Sequence, residues 1–201
     1  MADETSDRPR LTPKGALTRA RIVEAAAALI HARGVAGTTL EDVKVAAGVS
    51  GSQMYHYFPD KNELVQAVID YQADNIVKRN THVLARADGV EAWRKMVITA
   101  ARRTQARGGC QLGSLGGQLA ESDPEARALI AAGFDQWAST LSDGLKPLHT
   151  EGKLPPAIDP DDLATTLLAT LEGGLLLAQV QRDIRPFETA VNTLLALALD
   201  G

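Results

Sequence analysis

The stretch from Thr38 to Lys61, TTLEDVKVAAGVSGSQMYHYFPDK, constrains the fold of this chain more than any other. The hydroxyl of Thr39 can accept a backbone N–H at a helix start, and Asp42 stands three residues on, near the capping-box position. Gly48 can adopt the left-handed conformation that ends a helix. The pattern therefore predicts a first short helix between Thr39 and Gly48.

A second short helix is predicted directly after the turn. Val49 places an apolar side chain in the turn, and Ser50 can cap a helix over Gly51–Tyr57. Phe58 ends it, because the residue before Pro59 is pushed out of the helical region. Two short helices with a glycine-containing turn form a helix-turn-helix, whose second helix enters the major groove of DNA.

The run TTLEDV…AAGVS…MYHYFPDKNELV resembles the DNA-binding signature of the TetR family, because several unlike features follow one another in order. The variant SGSQMYHYF, with the later GCQLGSLGGQLAESDPEARALI, is similar to the LmrA/YxaF-type subgroup. The resemblance implies an all-α fold and a homodimer. It also implies two partners, double-stranded operator DNA and a small-molecule effector, and it implies no cofactor.

Position and resemblance together select the residues that contact DNA. Gln53 is the best candidate base reader, because an amide can form two hydrogen bonds with adenine. The resemblance implies phosphate contacts from Thr39, Tyr57 and Lys61, while packing on the first helix is the alternative for Tyr55. The predicted DNA-binding residues are Thr39, Lys44, Gly51, Ser52, Gln53, Tyr55, His56, Tyr57 and Lys61.

Two positions depart from the family pattern. Lys44 stands where a small alanine usually packs, so its ammonium is expected to extend outward along its own methylenes. Gly51 and Ser52 stand where a lysine and a glycine are common. The lysine contact of the family is therefore not carried over to position 51.

Apolar periodicity divides the chain into three parts. Residues 1–15 hold prolines, mixed charges and few apolar anchors, so they are predicted to form a flexible N-terminal arm. Residues 16–62 form the predicted helix-turn-helix domain, and residues 63–201 form an effector-binding and dimerisation domain, with about nine helices in all. Net charges of +1 for residues 1–62 and −5 for residues 63–201 favour DNA contact by the first domain.

Two helical segments, Asp161–Gln181 and Pro186–Leu199, are apolar on more than one side. Such helices must be covered all round, so we expect one side to meet the same chain and the other a twin chain, as a four-helix interface. A two-fold dimer suits a palindromic operator. The predicted interface residues are Leu163, Leu167, Leu171, Leu175, Val191, Leu194 and Leu195.

The stretch from Leu163 to Val180 is the most apolar in the chain, but it contains Glu172 and a glycine pair. We interpret it as a buried helix rather than a membrane span. The polar N-terminus predicts no signal peptide. A single cysteine, Cys110, fits a reducing cytoplasm, where this protein is expected to act.

The family resemblance implies a ligand cavity walled by the middle helices of each subunit. The subgroup resemblance suggests a planar aromatic or drug-like effector. Each candidate wall residue, taken alone, is more often plain core than a ligand contact. These candidates are Trp93, Val97, Leu112, Leu115, Gln118, Phe134, Trp137, Thr170 and Gly174.

The residues show no catalytic or metal-binding constellation. The four histidines lie far apart with no ligand-type spacing, and LGSLGG lacks the lysine and preceding strand of a phosphate-binding loop. The sequence therefore predicts a DNA-binding transcriptional regulator, a homodimeric repressor released from its operator by a small hydrophobic or aromatic effector. The alternatives are an architectural DNA-binding protein without an effector and an enzyme with an unrecognised site.

Overall fold

The computed structural model describes residues 11–86 and 88–199, and over these residues the fold is entirely α-helical. The elements are α1 (Pro13–Arg33), α2 (Leu40–Ala47), α3 (Gly51–Tyr57), α4 (Lys61–Leu84), α5 (Gly89–Thr104), α6 (Gln111–Leu119), α7 (Pro124–Thr150), α8 (Pro160–Gln181) and α9 (Arg185–Leu199). The predicted all-α class, with about nine helices, is confirmed.

The described residues fall into two compact units, divided after Val68. Unit 1 contains α1, α2, α3 and the start of α4, and unit 2 contains the rest of α4 and all later helices. The division therefore falls inside the continuous helix α4. The domain boundary predicted from the sequence lies after residue 62, near the start of that helix.

Helix α1 begins at Pro13, inside the segment 1–15 that the sequence predicts to be a flexible arm. Thr12 caps it by accepting the backbone N–H of Gly15 at 3.1 Å, and proline fits the first turn because its missing N–H would have no partner there. The last residues of the predicted arm are thus helical. Residues 1–10 of that arm lie outside the described part of the chain.

Unit 1 has a small core contributed by all of its helices. Ile22, Val43 and Phe58 are fully buried, and Met54 is 1% exposed. The hydroxyl of Thr38 is also buried and donates to the carbonyl of Gly34 at 2.9 Å, which anchors the turn before α2. This core holds α3 in place from its inner side.

In unit 2, α8 packs most extensively against α9 and α7. Close helix approach depends on glycine at two points of α7: a Cβ added to Gly133 would lie 3.0 Å from the Cβ of Ala73, and one added to Gly144 would lie 2.9 Å from Leu84 Cδ2. The buried hydroxyl of Ser142 donates to Asp161 and joins α7 to the start of α8.

Helix α8 is the one helix, among the described residues, that is long and apolar enough to cross a membrane on length and composition alone. It has 22 residues, and 33% of its most apolar window is buried. Much of this apolar surface is therefore uncovered by the described chain.

Candidate nucleic-acid interface and effector region

The turn between α2 and α3 has the predicted geometry. Gly48 is left-handed, at φ 61° and ψ 42°, and its N–H donates to the carbonyls of Lys44 and Val45. Helix α3 then spans Gly51–Tyr57 as expected, and Phe58 ends it in an extended conformation. The two helices thus form a helix-turn-helix whose local geometry follows from a few residues.

Both helices begin with a complete capping box. At α2, Asp42 accepts the backbone N–H of Thr39 at 2.9 Å, and its own N–H donates to Thr39 Oγ1 at 3.1 Å. The Thr39 hydroxyl also donates to Asp42 at 2.6 Å, and chiefly this hydrogen bond lowers the pKa of that carboxyl. The proton that Thr39 would offer to a DNA phosphate is therefore already used.

At α3, Gln53 closes the second box. Its backbone N–H donates to Ser50 Oγ at 3.2 Å, and its Oε1 accepts the backbone N–H of Ser50 at 3.0 Å. A two-pronged contact with adenine needs both ends of the amide. In this conformation only Nε2 is free, so the predicted reading mode requires Gln53 to leave its cap.

The outer face of α3 is otherwise open. Ser52, Gln53 and His56 are exposed, and Tyr55 is 61% exposed, so any packing of Tyr55 on the first helix leaves most of its surface open. Met54 faces the core. The helix thus presents polar and aromatic groups outward while its apolar side holds it against the unit.

Tyr57 is half-buried, and its ring meets that of His56 edge-on, with centroids 4.9 Å apart. Its hydroxyl lies 3.1 Å from the position of a Cβ added to Gly15, at the first turn of α1. Lys61 is half-buried at the start of α4. Two of the three predicted phosphate contacts, Tyr57 and Lys61, are therefore partly covered within unit 1.

Lys44 and Gly51, the positions that depart from the family pattern, behave differently. The ammonium of Lys44 lies at the surface, 2.5 Å from Glu41, and the side chain is 29% exposed. No atom lies within 4 Å of a Cβ added to Gly51. The fold of the described chain therefore has room for a larger residue at the start of α3.

In unit 2, several of the nine predicted ligand contacts are ordinary core. Leu112 and Leu115 are fully buried, and Gly174 is in close contact with the ring of Phe187. Trp93 is 1% exposed, and its indole N–H donates to Asn80 Oδ1 at 2.6 Å. These groups have their partners within the chain.

The remaining predicted ligand contacts vary in burial. Val97, Phe134 and Thr170 are half-buried, and Gln118 is exposed, with its amide donating to Ser114. Trp137 differs from all of them, because it is 6% exposed and its buried indole N–H has no hydrogen-bond partner. Of the nine, Trp137 alone combines burial with an unmet polar atom.

Two surface grooves of unit 2, of about 570 and 800 Å³, lie among the ends of α4, α5, α7 and α9. None of the nine predicted ligand residues lines either groove. The first groove is lined by apolar side chains, such as Leu148 and Leu195, together with charged ones, such as Glu91. Neither groove is formed by the residues that the sequence predicts for the ligand wall.

Glu172 is a half-buried residue, with a buried Oε1, that was not among the predicted ligand contacts. Its Oε1 has no hydrogen-bond partner, and burial raises the pKa of the carboxyl above its ordinary value. A hydrogen bond from the Cys110 thiol opposes that rise only in part. Its one signal in the sequence is a lone charged residue within an apolar helix.

Cys110 caps α6 by accepting the N–H of Gly113 at 3.4 Å. Burial and the neighbouring Glu172 carboxyl raise the pKa of the thiol. A protonated thiol is a poor nucleophile, so the local environment disfavours redox chemistry at this residue.

The predicted dimer residues need correction. Leu163, Leu167, Leu171, Val191 and Leu195 are at most 5% exposed, because they pack inside this chain. Leu175 and Leu194 are half-buried. The exposed apolar residues are instead Leu176 at 59%, Leu177 at 50% and Val180 at 73% on α8, and Leu197 at 70% on α9.

The described residues contain no group of three or more His, Cys, Asp or Glu side chains that could hold a metal ion.

Comparison with known proteins gives a consistent result. Residues 22–68 match the family described as bacterial regulatory proteins, tetR family, and residues 87–194 match the tetracyclin repressor-like C-terminal domain. A crystal structure of a TetR transcriptional regulator from Chloroflexus aurantiacus is 30% identical, with a TM-score of 0.77 over 91% of this chain and 94% of that one.

Two further similarities are to a sequence relative and to a solved structure. An uncharacterized HTH-type transcriptional regulator of Mycobacterium tuberculosis is 28% identical over 85% of this chain and 88% of its own. The SmeT–triclosan complex has a TM-score of 0.71 at 23% identity, over 91% of this chain and 92% of that chain. At that identity SmeT shows a shared fold alone.

Proposed function

Because the chain belongs to the TetR family of bacterial transcriptional regulators, we propose that it is a homodimeric repressor of the LmrA/YxaF-like type. It binds a palindromic operator and leaves it when a small hydrophobic or aromatic effector binds. The observation that carries the proposal is the exposed outer face of α3, held by a buried inner face and capped at its start. Such a helix fits the major groove.

Base reading is assigned to the exposed groups of α3. Gln53 exchanges its cap for a contact with a base, and Ser52, Tyr55 and His56 lie on the same open helix and reach base edges or phosphates. Lys44, Tyr57 and Lys61 contribute phosphate contacts around it, and Gly51 allows close approach of the helix start. Thr39 adds a phosphate contact when its hydroxyl exchanges Asp42 for the phosphate. Phosphate contacts position the protein, and base contacts supply the sequence preference.

Dimerisation is assigned to the exposed face of α8 and α9. Leu176, Leu177, Val180 and Leu197 are exposed apolar residues, and Glu172 is the one charged residue between Leu163 and Gln181. An uncharged apolar face of this kind needs cover, and a second copy of the same helices supplies it. The proposal places the protein in the cytoplasm, where it reaches chromosomal DNA.

Effector binding is assigned to the interior of unit 2. At Gly133, three helices meet, because a Cβ added there would touch both Ala73 of α4 and Leu112 of α6. A ligand that displaces α6 or α7 therefore acts on α4, which continues into unit 1. The ligand must bind the released shape more tightly than the DNA-bound shape, since only differential affinity shifts the population.

The proposal is tested by selecting binding sites from random duplex DNA with the purified full chain. The expected result is enrichment of a palindrome, with retardation of a fragment from the protein's own promoter region. Enrichment without any palindrome, or binding that no small hydrophobic compound reverses, would favour an architectural DNA-binding protein. A chain that retards no fragment would contradict the proposal.

The dimer contact has its own test. We expect Leu177→Glu with Val180→Glu to yield a monomer in sedimentation experiments and to abolish operator retardation, because two charges would be buried against their own copies. The matched control is Ala131→Glu, which adds a charge at an exposed position of α7. A double variant that remains a dimer would show that the contact lies elsewhere.

A further inference from the structure

A third groove of unit 2, of about 540 Å³, is rich in arginine. It lies where the end of α5 and the loop after it meet the turn between α8 and α9. A volume of this size is within the range of small-molecule sites in proteins, about 300–1,000 Å³. The lining residues are Arg102, Gln105, Arg107, Arg182, Asp183 and Ile184.

The groove is a local concentration of positive charge in an acidic unit. Residues 69–201 hold 13 Lys or Arg and 17 Asp or Glu, a net charge of −4. Residues 102–107 and 182–188, which form the groove and its margins, hold five Arg and two acids, a net charge of +3. The arginines of this unit are therefore gathered at one place.

Both acids at the groove already have arginine partners. Arg102 donates to Glu188 through Nε at 2.5 Å and through a second guanidinium nitrogen at 3.0 Å. Arg185 Nε donates to Asp183 at 2.6 Å. These two ion pairs use the negative charge that would otherwise offset the remaining arginines.

Arg107 and Arg182 are the unpaired cations of the groove. In the part of the chain that the structure describes, neither forms an ion pair, and both side chains are exposed. The loop that carries Arg107 is packed against α8, because Ala106 is 2% exposed and a Cβ added to Gly109 would lie 2.6 Å from Gln179 Oε1. This packing holds the two arginines at the same groove.

The backbone conformation around the groove is uncommon. Gln105, Ala106 and Arg182 have φ values of 51°, 51° and 53°, and no other non-glycine residue of the described chain has a positive φ. Gln105 and Arg182 end α5 and α8, at positions where glycine is favoured because it lacks a Cβ. Such conformations in non-glycine residues are concentrated at functional sites. Two helix ends thus carry a polar side chain to the groove where glycine would be less strained.

We propose that this groove binds a compact anion with a phosphate or diphosphate group, such as a phosphorylated metabolite. The guanidinium groups of Arg107 and Arg182 donate to the phosphate oxygens, because the planar guanidinium matches phosphate with two parallel N–H donors. Gln105 adds an amide donor from the same groove. The site is separate from the operator and effector sites of the proposed function and does not depend on them.

The distribution of charge favours a small phosphate compound over the DNA backbone. A DNA duplex carries one negative charge per about 1.7 Å, so it would extend beyond the groove over an acidic surface. A compact anion meets only the local positive charge. A carboxylate pairs with one guanidinium group, whereas the several oxygens of a diphosphate pair with both.

The test uses inorganic pyrophosphate as the probe. Its binding to the DNA-free full chain is measured by calorimetry at neutral pH and constant ionic strength, for the wild type, Arg107→Gln and Arg182→Gly. The glycine variant removes a guanidinium group and also relieves the positive φ, so lost binding is not accompanied by lost stability. The matched control is Arg127→Gln, which removes an exposed arginine of α7.

We expect saturable binding of pyrophosphate by the wild type and about tenfold weaker binding by Arg107→Gln and by Arg182→Gly. Arg127→Gln should bind like the wild type, and Arg182→Gly should keep or raise the Tm. No saturable binding by the wild type, an unchanged affinity in both groove variants, or an equal loss in Arg127→Gln would each overturn the inference.

Retardation of operator DNA by the same variants distinguishes the two sources of phosphate. Retardation equal to that of the wild type is expected, because the groove takes a free anion. Weaker retardation by Arg107→Gln and Arg182→Gly, but not by Arg127→Gln, would assign the groove to the DNA backbone and overturn the inference of a small ligand. A wild type that retards no DNA contradicts the proposed function, and the pyrophosphate affinities then decide the role of the groove by themselves.

Discussion

The starts of α2 and α3 in unit 1 differ from the interior of unit 2 in whether their polar groups have hydrogen-bond partners. At α2 and α3, capping boxes built from Thr39 with Asp42 and Ser50 with Gln53 satisfy the first backbone N–H groups within three residues of sequence. In unit 2, Trp137 Nε1 and Glu172 Oε1 are buried without partners. The difference indicates that the starts of α2 and α3 are satisfied by residues close in sequence, whereas two polar atoms in the interior of unit 2 have no partner within the described chain.

The two tryptophans of unit 2 give the sharpest test of this contrast. Trp93→Phe is expected to lower the free energy of unfolding by about 2–3 kcal/mol, because it removes packed volume and leaves Asn80 Oδ1 without its donor. Trp137→Phe should cost about 1 kcal/mol, since its N–H has no acceptor to lose. Urea unfolding at equal protein concentration measures both, and equal costs would remove the distinction.

The pH dependence of stability tests the unpaired state of Glu172. Because burial raises its folded pKa above the ordinary value of 4.5, the wild type loses stability as pH rises from about 4.5 through the folded pKa. Glu172→Gln does not ionise, so its advantage over the wild type should be small at pH 4 and should grow as the pH rises toward 8. Thermal unfolding of both proteins between pH 4 and 8 measures this difference in stability. If the advantage of Glu172→Gln shrinks as the pH rises, the wild-type carboxylate has a partner that stabilises its charge.

Removal of the α3 cap tests how much the local hydrogen bonds at its start stabilise this helix. Ser50→Ala should lower the free energy of unfolding by about 1 kcal/mol and weaken operator binding, because the N–H of Gln53 loses its acceptor. Ser139→Ala, at an exposed position within α7, is the control and should be neutral or slightly stabilising. A Ser50→Ala variant as stable as the control would mean that packing alone holds α3.

The smallest expected effect on the fold is that of Gly51→Lys. No atom lies within 4 Å of an added Cβ, so the free energy of unfolding should change by less than about 0.5 kcal/mol. The new ammonium should add one phosphate contact and steepen the salt dependence of DNA binding by about one unit of slope. An unchanged slope would place the start of α3 away from the DNA backbone.

Residues close together in sequence made most of the fold predictable. The left-handed Gly48, the limits of α3 and the nine helices follow from caps, glycines and apolar stripes that act over a few positions. The start of α1 was misplaced because a proline-rich segment was interpreted as loop, although proline is favoured in the first turn.

The candidate sites were less predictable, because their errors concern partners distant in sequence. Gln53 was correctly placed on an exposed face, yet its use as a cap shows only when the rotamer is known. Trp93 and Trp137 were equivalent candidates in the sequence. Asn80, thirteen residues before Trp93, decides that only one of the two indole N–H groups has a partner.

The sequence by itself determined that this chain is an all-helical member of its family with a helix-turn-helix near its start, because those signals are local and act through backbone geometry. Only the tertiary structure decided which side of α8 faces inward and which stays open. A helix apolar all round has no stripe to choose between, so neighbouring α7 and α9 set its rotation, bury Leu167 and Leu171, and leave Leu177 and Val180 exposed.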